Sequence, residues 1–212
     1  MDKYIDRREA GIILAKHLKS YAHQADVIIL ALPRGGVPVA YELARELSLP
    51  FEVFVVRKLG VPGHEELAMG ATASGGTLLF NEPLMKQLNL DSSSVKAVVE
   101  REQKELERRE LLYHGNRAYP SLNGKTIILV DDGIATGFTM RAAIAAIRKQ
   151  KPASLVVAVP VAEYSTCEEL AAMVDQLVCP LKPINFYAVG LWYENFPQTS
   201  DEEVIYLLKQ SI

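Results

Sequence analysis

Residues Thr126–Met140, reading TIILVDDGIATGFTM, constrain this chain more tightly than any other stretch. Ile127–Val130 form an aliphatic run bounded by turn signals, which reads as a buried strand. Asp131 and Asp132 end the run and a loop of small and hydroxylated residues follows. Met140, Ala143, Ile144 and Ile147 then recur at helical spacing. The order is strand, loop, helix. In a βα unit the loop lies at the carboxyl end of the sheet, where open α/β folds bind ligands, and the free N–H groups of the helix start favour an anion. Phosphate is the ligand this chemistry suggests.

The rest of the chain repeats that grammar. Asp6 and Glu9 form a capping box ahead of Ala10, Ile13, Leu14, Leu18 and Tyr21, which predicts a first helix. Asp26–Leu32 (DVIILAL) is an apolar strand running into Pro33, Arg34, Gly35 and Gly36, and Pro38 suits the first turn of a helix carrying Val39, Leu43, Ala44 and Leu47. Phe51–Val56 reads as a strand ending in the cations Arg57 and Lys58. The segment Leu59–Gly76 holds five glycines, one proline and the acidic pair Glu65 and Glu66, so it reads as a long mobile loop whose functional version is a lid. Thr77–Asn81 suggests a short strand, and Asp91–Tyr113 a charged helix. In that helix Glu100–Lys104 and Glu105–Arg109 have the favourable i, i+4 order, each worth about 0.2–0.5 kcal/mol. Its apolar stripe is thin, so the charges read as a solvated face.

After a loop at Gly115–Gly124 come strands at Leu155–Val159 and Gln176–Cys179. Between them lies a helix through Val174 capped by Ser165 and Glu168. Asn185–Tyr193 (NFYAVGLWY) reads as an aromatic strand, and Ser200, Asp201 and Glu203 open a final helix. Strands alternating with helices imply an α/β fold, a parallel sheet covered on both faces. A length of 212 residues fits one domain spanning 1–212. Its core is expected at about 22–66 and 121–180, with a hood or appendage at about 77–118 and 181–212.

Several function classes lose support. A formal charge of −3 lacks the basic footprint of a nonspecific nucleic-acid binder. Cys167 and Cys179 are too few for a disulfide framework, and a reducing compartment fits them. MDKYIDRREA lacks the apolar core of a signal peptide and no run approaches the ~18 apolar residues of a membrane span, so a cytoplasmic protein without nucleic-acid or membrane partners is expected. Gly124, Lys125 and Thr126 imitate the end of a phosphate-binding Walker loop, but Tyr119 stands where the earlier glycine is required and the strand follows the motif instead of preceding it.

The aspartate pair alone is compatible with a self-solvating turn or with a Mg²⁺ site completed by substrate oxygens. Neither requires the loop that follows. Carboxylates accept hydrogen bonds from sugar hydroxyls, and Thr136 and Thr139 at a helix start can wrap a phosphate. In this, VDDGIATGFTM resembles the phosphoribosyl pyrophosphate motif of the type I phosphoribosyltransferases, an apolar strand, two acidic residues and a threonine and glycine loop.

The resemblance covers the motifs of roughly residues 26–180. It implies a parallel-sheet fold with a small hood, and transfer of a phosphoribosyl group from phosphoribosyl pyrophosphate to a nitrogenous base with Mg²⁺. Asp131 and Asp132 would hold the ribose and the metal, and Gly133, Ile134, Ala135, Thr136, Gly137, Phe138 and Thr139 the 5′-phosphate. Arg34, Gly35 and Gly36 stand at the family's pyrophosphate loop. Arg57 and Lys58 look like the start of its catalytic loop, with Lys58 similar to a lysine that reaches the pyrophosphate; the plainer reading is a snorkelling cation pair. Phe186 and Trp192, with Tyr187 and Tyr193, would stack on the base, or else belong to a core strand. Ala135 replaces the aspartate of the hypoxanthine and guanine branch, and the motif is closer to the adenine branch. A homodimer is compatible with the family, and a non-catalytic binding protein of the same fold is the alternative function.

Overall fold

The structure, a computed structural model, describes residues 3–115 and 117–210. Met1 and Asp2, in the N-terminal stretch read above, and Asn116, in the expected loop, lie outside the described residues. The strands β1 (Val27–Ala31), β2 (Phe51–Val53), β6 (Thr126–Val130), β7 (Ser154–Ala158) and β8 (Gln176–Val178) form a five-stranded parallel sheet in the order β2-β1-β6-β7-β8. The central strands β1, β6 and β7 are near-continuous buried apolar runs, because both faces of the sheet are covered. Val27, Ile29 and Ala31 face a layer with α1 (Arg7–His17), α2 (Gly36–Leu47) and α7 (Asp201–Gln210). Ile28 and Leu30 face the opposite layer with α5 (Phe138–Lys149) and α6 (Tyr164–Ala171).

The order of strands creates the functional edge. From β1 the chain moves outward to β2, then returns to the other side of β1 and continues outward through β6, β7 and β8. The reversal lies between β1 and β6, which pair in register from Val27 with Thr126 to Ala31 with Val130. Open α/β sheets bind ligands at such a switch point, outside the carboxyl ends of the strands. The loops after β1 and β6 therefore emerge side by side.

The expected long loop at Leu59–Gly76 is instead an antiparallel hairpin. Strands β3 (Val56–Val61) and β4 (His64–Ala73) pair, and β5 (Thr77–Phe80) adds a third strand. Its glycines have strand and turn roles that composition does not reveal. Gly63, with φ of 79°, makes the first turn, and Gly75 and Gly76, at 81° and 74°, make the second. Gly60 and Gly70 sit where backbone comes too close for a side chain: a Cβ at Gly70 would lie 2.1 Å from the Leu79 carbonyl oxygen. Leu59, Val61 and Met69 turn inward against Val98 of α4 (Ser92–His114).

Arg57 fastens the hairpin to that helix, donating through Nε at 3.0 Å and Nη2 at 2.7 Å to Glu102, a buried carboxylate. Glu105 and Arg109 pair as the spacing predicts, whereas Glu100 meets Lys96. A six-residue helix, α3 (Glu82–Gln87), joins β5 to α4.

Two further expectations fail at the tail. The NFYAVGLWY segment forms no strand of either sheet; it turns through Tyr187, at φ of 57°, into a 3₁₀ helix, Val189–Trp192. Outside both sheets it has an isolated backbone bridge, between Tyr4 and Tyr193, and Phe186, Trp192 and Tyr193 pack with Tyr4 and Val161. The cap of α6 is Glu163 instead of Ser165, because the Glu163 carboxylate accepts from both the Ser165 hydroxyl and the Thr166 N–H, and the helix ends at Ala171.

Gly70→Ala is expected to destabilise the chain by about 1–3 kcal/mol, the usual cost of overpacking. Urea unfolding measures the loss, and faster amide exchange in β5 locates it.

Candidate active site

The candidates at 34–36 and 131–139 reach the switch point through specific pieces of packing. Leu32 N–H donates to the Val130 carbonyl at 2.9 Å, continuing the β1–β6 pairing into the loops. The first loop then folds directly onto the second. A Cβ on Gly36 would lie 2.8 Å from the Val130 carbonyl oxygen and 2.9 Å from the Asp131 Cα, and one on Gly35 would lie 2.0 Å from Asp132 Oδ2. Only glycine permits this approach. The PRGG turn and the aspartate pair are thus one packed unit, and the Pro33–Arg34 peptide within it is cis.

The β6 loop is held from below. Ile134 N–H donates to the Val161 carbonyl at 3.0 Å, and the Thr166 hydroxyl donates to the Ala135 carbonyl at 3.2 Å. Gly137, at φ of 73°, is the N-cap of α5 and supplies no side-chain cap, so the first N–H groups of that helix have no partner within it. Thr136 and Thr139 are exposed beside them. Arg141 braces the turn from within the helix, donating to the Thr136 carbonyl at 2.6 Å and pairing with Glu169. These free N–H groups and hydroxyls can take an anion.

A cavity of about 480 Å³ opens over Asp132, and Asp131 lies outside its lining. Arg7 enters its wall from α1, Arg34 and Gly35 from the β1 loop, and Asp132 from the β6 loop; Val189 and residues 196–199 close it from the tail. Asp132 is held on several sides. Its Oδ2 accepts from Arg7 Nε at 2.8 Å, its carbonyl accepts from the Tyr193 hydroxyl at 2.5 Å, and its own N–H donates to Asp131 Oδ1 at 2.8 Å. Arg7 also donates to the Pro197 carbonyl at 2.7 Å, and its guanidinium lies 3.8 Å from the centre of the Phe196 ring.

Burial and the neighbouring Asp132 charge push the Asp131 carboxyl well above the usual carboxylate range. Burial also raises Asp132, and Arg7 opposes that rise. The Tyr193 hydroxyl is raised by burial and by the Asp132 charge, so it stays protonated and donating. Among the described residues no group of three or more His, Cys, Asp or Glu side chains could hold a metal alone. The aspartate pair offers hard oxygen donors of the kind Mg²⁺ shares with substrate oxygens and water, so it fits that ion only with a substrate present.

Other sequence candidates lie elsewhere. Lys58 is on β3, 3.7 Å from Glu66 across the hairpin, and neither it nor Arg57 lines the cavity. Phe186 is buried in a small cluster with Tyr4 and Tyr193, stacked against Trp192, whose indole N–H donates to the Phe186 carbonyl. Tyr187 is exposed. Val189 and Phe196 are the apolar residues of the cavity wall. Arg7, Val189 and Phe196 were not legible as site residues, since Arg7 reads as part of an ordinary capped helix and nothing in one sequence links position 7 to position 132.

Residues 5–191 match the phosphoribosyl transferase domain. The chain belongs to that family. It is 41% identical over 211 residues to Mycobacterium tuberculosis proteins, from strains CDC 1551 and H37Rv, that are named provisionally as phosphoribosyl transferases. All of this chain is covered but only 47% of theirs, so it spans about half the length of these curated relatives. Among solved structures it is similar to TT1426 of Thermus thermophilus, with 37% identity, a TM-score of 0.87 and 99% of each chain covered. The parallel sheet flanked by helices, with a small antiparallel sheet beside it, is the architecture expected of this family. Among the described residues no helix is long and apolar enough to cross a membrane.

The anchor of the β6 loop has a pH signature. Hydrogen bonds from Ser165 and Thr166 lower the Glu163 carboxyl from 4.5 to about 2. A depressed folded-state value means that its contribution is present above 4.5 and is lost as pH falls toward 2. Glu163→Ala is therefore expected to flatten the acid limb of the stability profile between those values, as read by denaturation at a series of pH values.

Proposed function

We propose that this protein transfers the 5-phosphoribosyl group of phosphoribosyl pyrophosphate to a nitrogenous base and releases pyrophosphate. The observation that carries the reading is the contact of the two loops at the switch point, with Gly35 seated on the Asp132 carboxylate. This contact supports the reading because it brings the glycine turn proposed for pyrophosphate beside the acidic pair proposed for the ribose, with the α5 helix start next in the chain. Asp131 and Asp132 accept hydrogen bonds from the ribose hydroxyls and stabilise positive charge developing on the sugar ring. The N–H groups and hydroxyls from Gly133 to Thr139 hold the 5′-phosphate, and Arg34 with the β1 loop backbone faces the departing pyrophosphate. Mg²⁺, held by the aspartates with substrate oxygens, would supply charge neutralisation of the pyrophosphate. Arg57 and Lys58 would act only if the hairpin moved, and Arg57 would first have to leave Glu102.

A second reading, a binding protein that senses phosphoribosyl pyrophosphate without turnover, draws on Ala135, which leaves the loop without a carboxylate to act as base toward the acceptor. A panel of bases with phosphoribosyl pyrophosphate and Mg²⁺ separates the two. Pyrophosphate release with one base is the expected result; stabilisation by phosphoribosyl pyrophosphate with no release for any base would favour the sensor.

Asp131→Asn is expected to lower turnover on the order of 100-fold with little change in melting temperature, because the amide fills the same volume. Asp132→Asn weakens Arg7's partner as well, so turnover and stability fall together. Gly35→Ala forces the Asp132 carboxylate aside, and its expected result is loss of the melting shift produced by phosphoribosyl pyrophosphate while the fold, read by circular dichroism, persists.

A further inference from the structure

The Arg7 guanidinium is 125 residues from Asp132 in sequence, yet its clearest ionic contact is with that carboxylate. Four features make the contact a built one. Arg7 is 9% exposed although it is an arginine. Nε donates to Asp132 Oδ2, Nη1 donates to the Pro197 carbonyl, and the guanidinium plane rests near the Phe196 ring. The side chain is therefore held by α1, by the tail and by an aromatic face together. Gly35 backs the same carboxylate, and a Cβ there would strike the Oδ2 that Arg7 binds. With Tyr193 bonded to the Asp132 carbonyl, both the carboxylate and the backbone of this residue are set by groups outside the β6 loop.

We propose that Arg7 is a positioning residue for the donor's ribose: it fixes the plane of the Asp132 carboxylate, so that the oxygen it leaves unbound meets a ribose hydroxyl without reorganisation. This rests on the reading of the site as a phosphoribosyl pyrophosphate site. The physical reason is preorganisation. An aspartate carboxylate rotates readily about its terminal torsion, and a charge-assisted bond at 2.8 Å to a guanidinium that is itself clamped removes that freedom before the ligand arrives. Arg7 thereby makes α1 part of the donor site: ribose affinity depends on α1 being docked, although α1 carries no part of the family motif. Arg34 on the β1 loop faces the pyrophosphate end independently of this contact.

The test measures binding of three ligands in the presence of Mg²⁺ by calorimetry: phosphoribosyl pyrophosphate, ribose 5-phosphate and inorganic pyrophosphate. For Arg7→Met, affinity for the two ribose ligands is expected to fall about 10- to 100-fold, the scale of a lost hydrogen bond to a charged group. Affinity for pyrophosphate should stay within about twofold. Arg7→Lys, which keeps the charge but cannot bond Asp132 and Pro197 in one plane, should fall between Arg7→Met and the unaltered chain. Tyr193→Phe, which keeps the ring and removes the hydroxyl, should weaken the ribose ligands by a smaller factor with pyrophosphate again spared. If Arg7→Met does not fold by circular dichroism, the lysine and phenylalanine variants decide the matter by the same split.

Unchanged ribose-ligand affinity in the folded variants would overturn the proposal, and so would an equal loss for pyrophosphate, which marks a merely structural role. An unaltered protein that binds neither ribose ligand would overturn the donor assignment itself, a result distinct from either.

Discussion

The in-register parallel pairing of β1 with β6 is the constraint on which the site depends, because these two strands were brought together from opposite halves of the chain and end at the same height. Everything chemical in the molecule follows from what the chain does in the next few residues. One strand continues into Arg34, Gly35 and Gly36, the other into Asp131 and Asp132, and the glycines let the first loop rest on the second at distances no side chain would allow. A larger residue at either glycine would separate the loops and with them the groups proposed to hold the two ends of one substrate.

The layers on either side of the sheet keep that edge rigid. Buried aliphatic residues cover both faces, so strand positions are set by close packing and not by hydrogen bonds alone. The β6 loop gains further restraint from Glu163 and Thr166 at the start of α6, and the hairpin is tied to α4 by a half-buried Arg57 bound to the buried Glu102 carboxylate. The tail and the first helix close over the carboxyl end as a third, smaller cluster of aromatic residues. Its position gives the cavity an apolar wall, and it gives Asp132 a cationic partner that the motif itself does not contain.

How much of this could be read from the residues varies with the range of the interaction involved. The five parallel strands, the capping box at Asp6 and the strand–loop–helix order around VDDGIATGFTM were legible because they rest on local periodicity and cap chemistry. The hairpin at Leu59–Gly76 was not, since glycines that serve close strand packing look the same in sequence as glycines that loosen a loop. Asn185–Tyr193 reads as a strand for its aromatic content, but a strand needs a neighbouring strand, and that segment has an isolated bridge to Tyr4 as its share of pairing.

The sequence by itself determined the α/β class, the apolar strands and the acidic, threonine and glycine loop by which the chain resembles its family, because those features are written within short windows of the chain. Only the tertiary structure decided that PRGG and VDD form one unit, that Arg57 is bound to Glu102, and that Phe186 and Trp192 pack against each other while Val189 and Phe196 face the cavity. The same is true of the contact between Arg7 and Asp132. Each depends on which strands adjoin and which helix lies over them, and that choice is made by burial of apolar surface across the whole domain, which leaves no mark on the local pattern around any one of these residues.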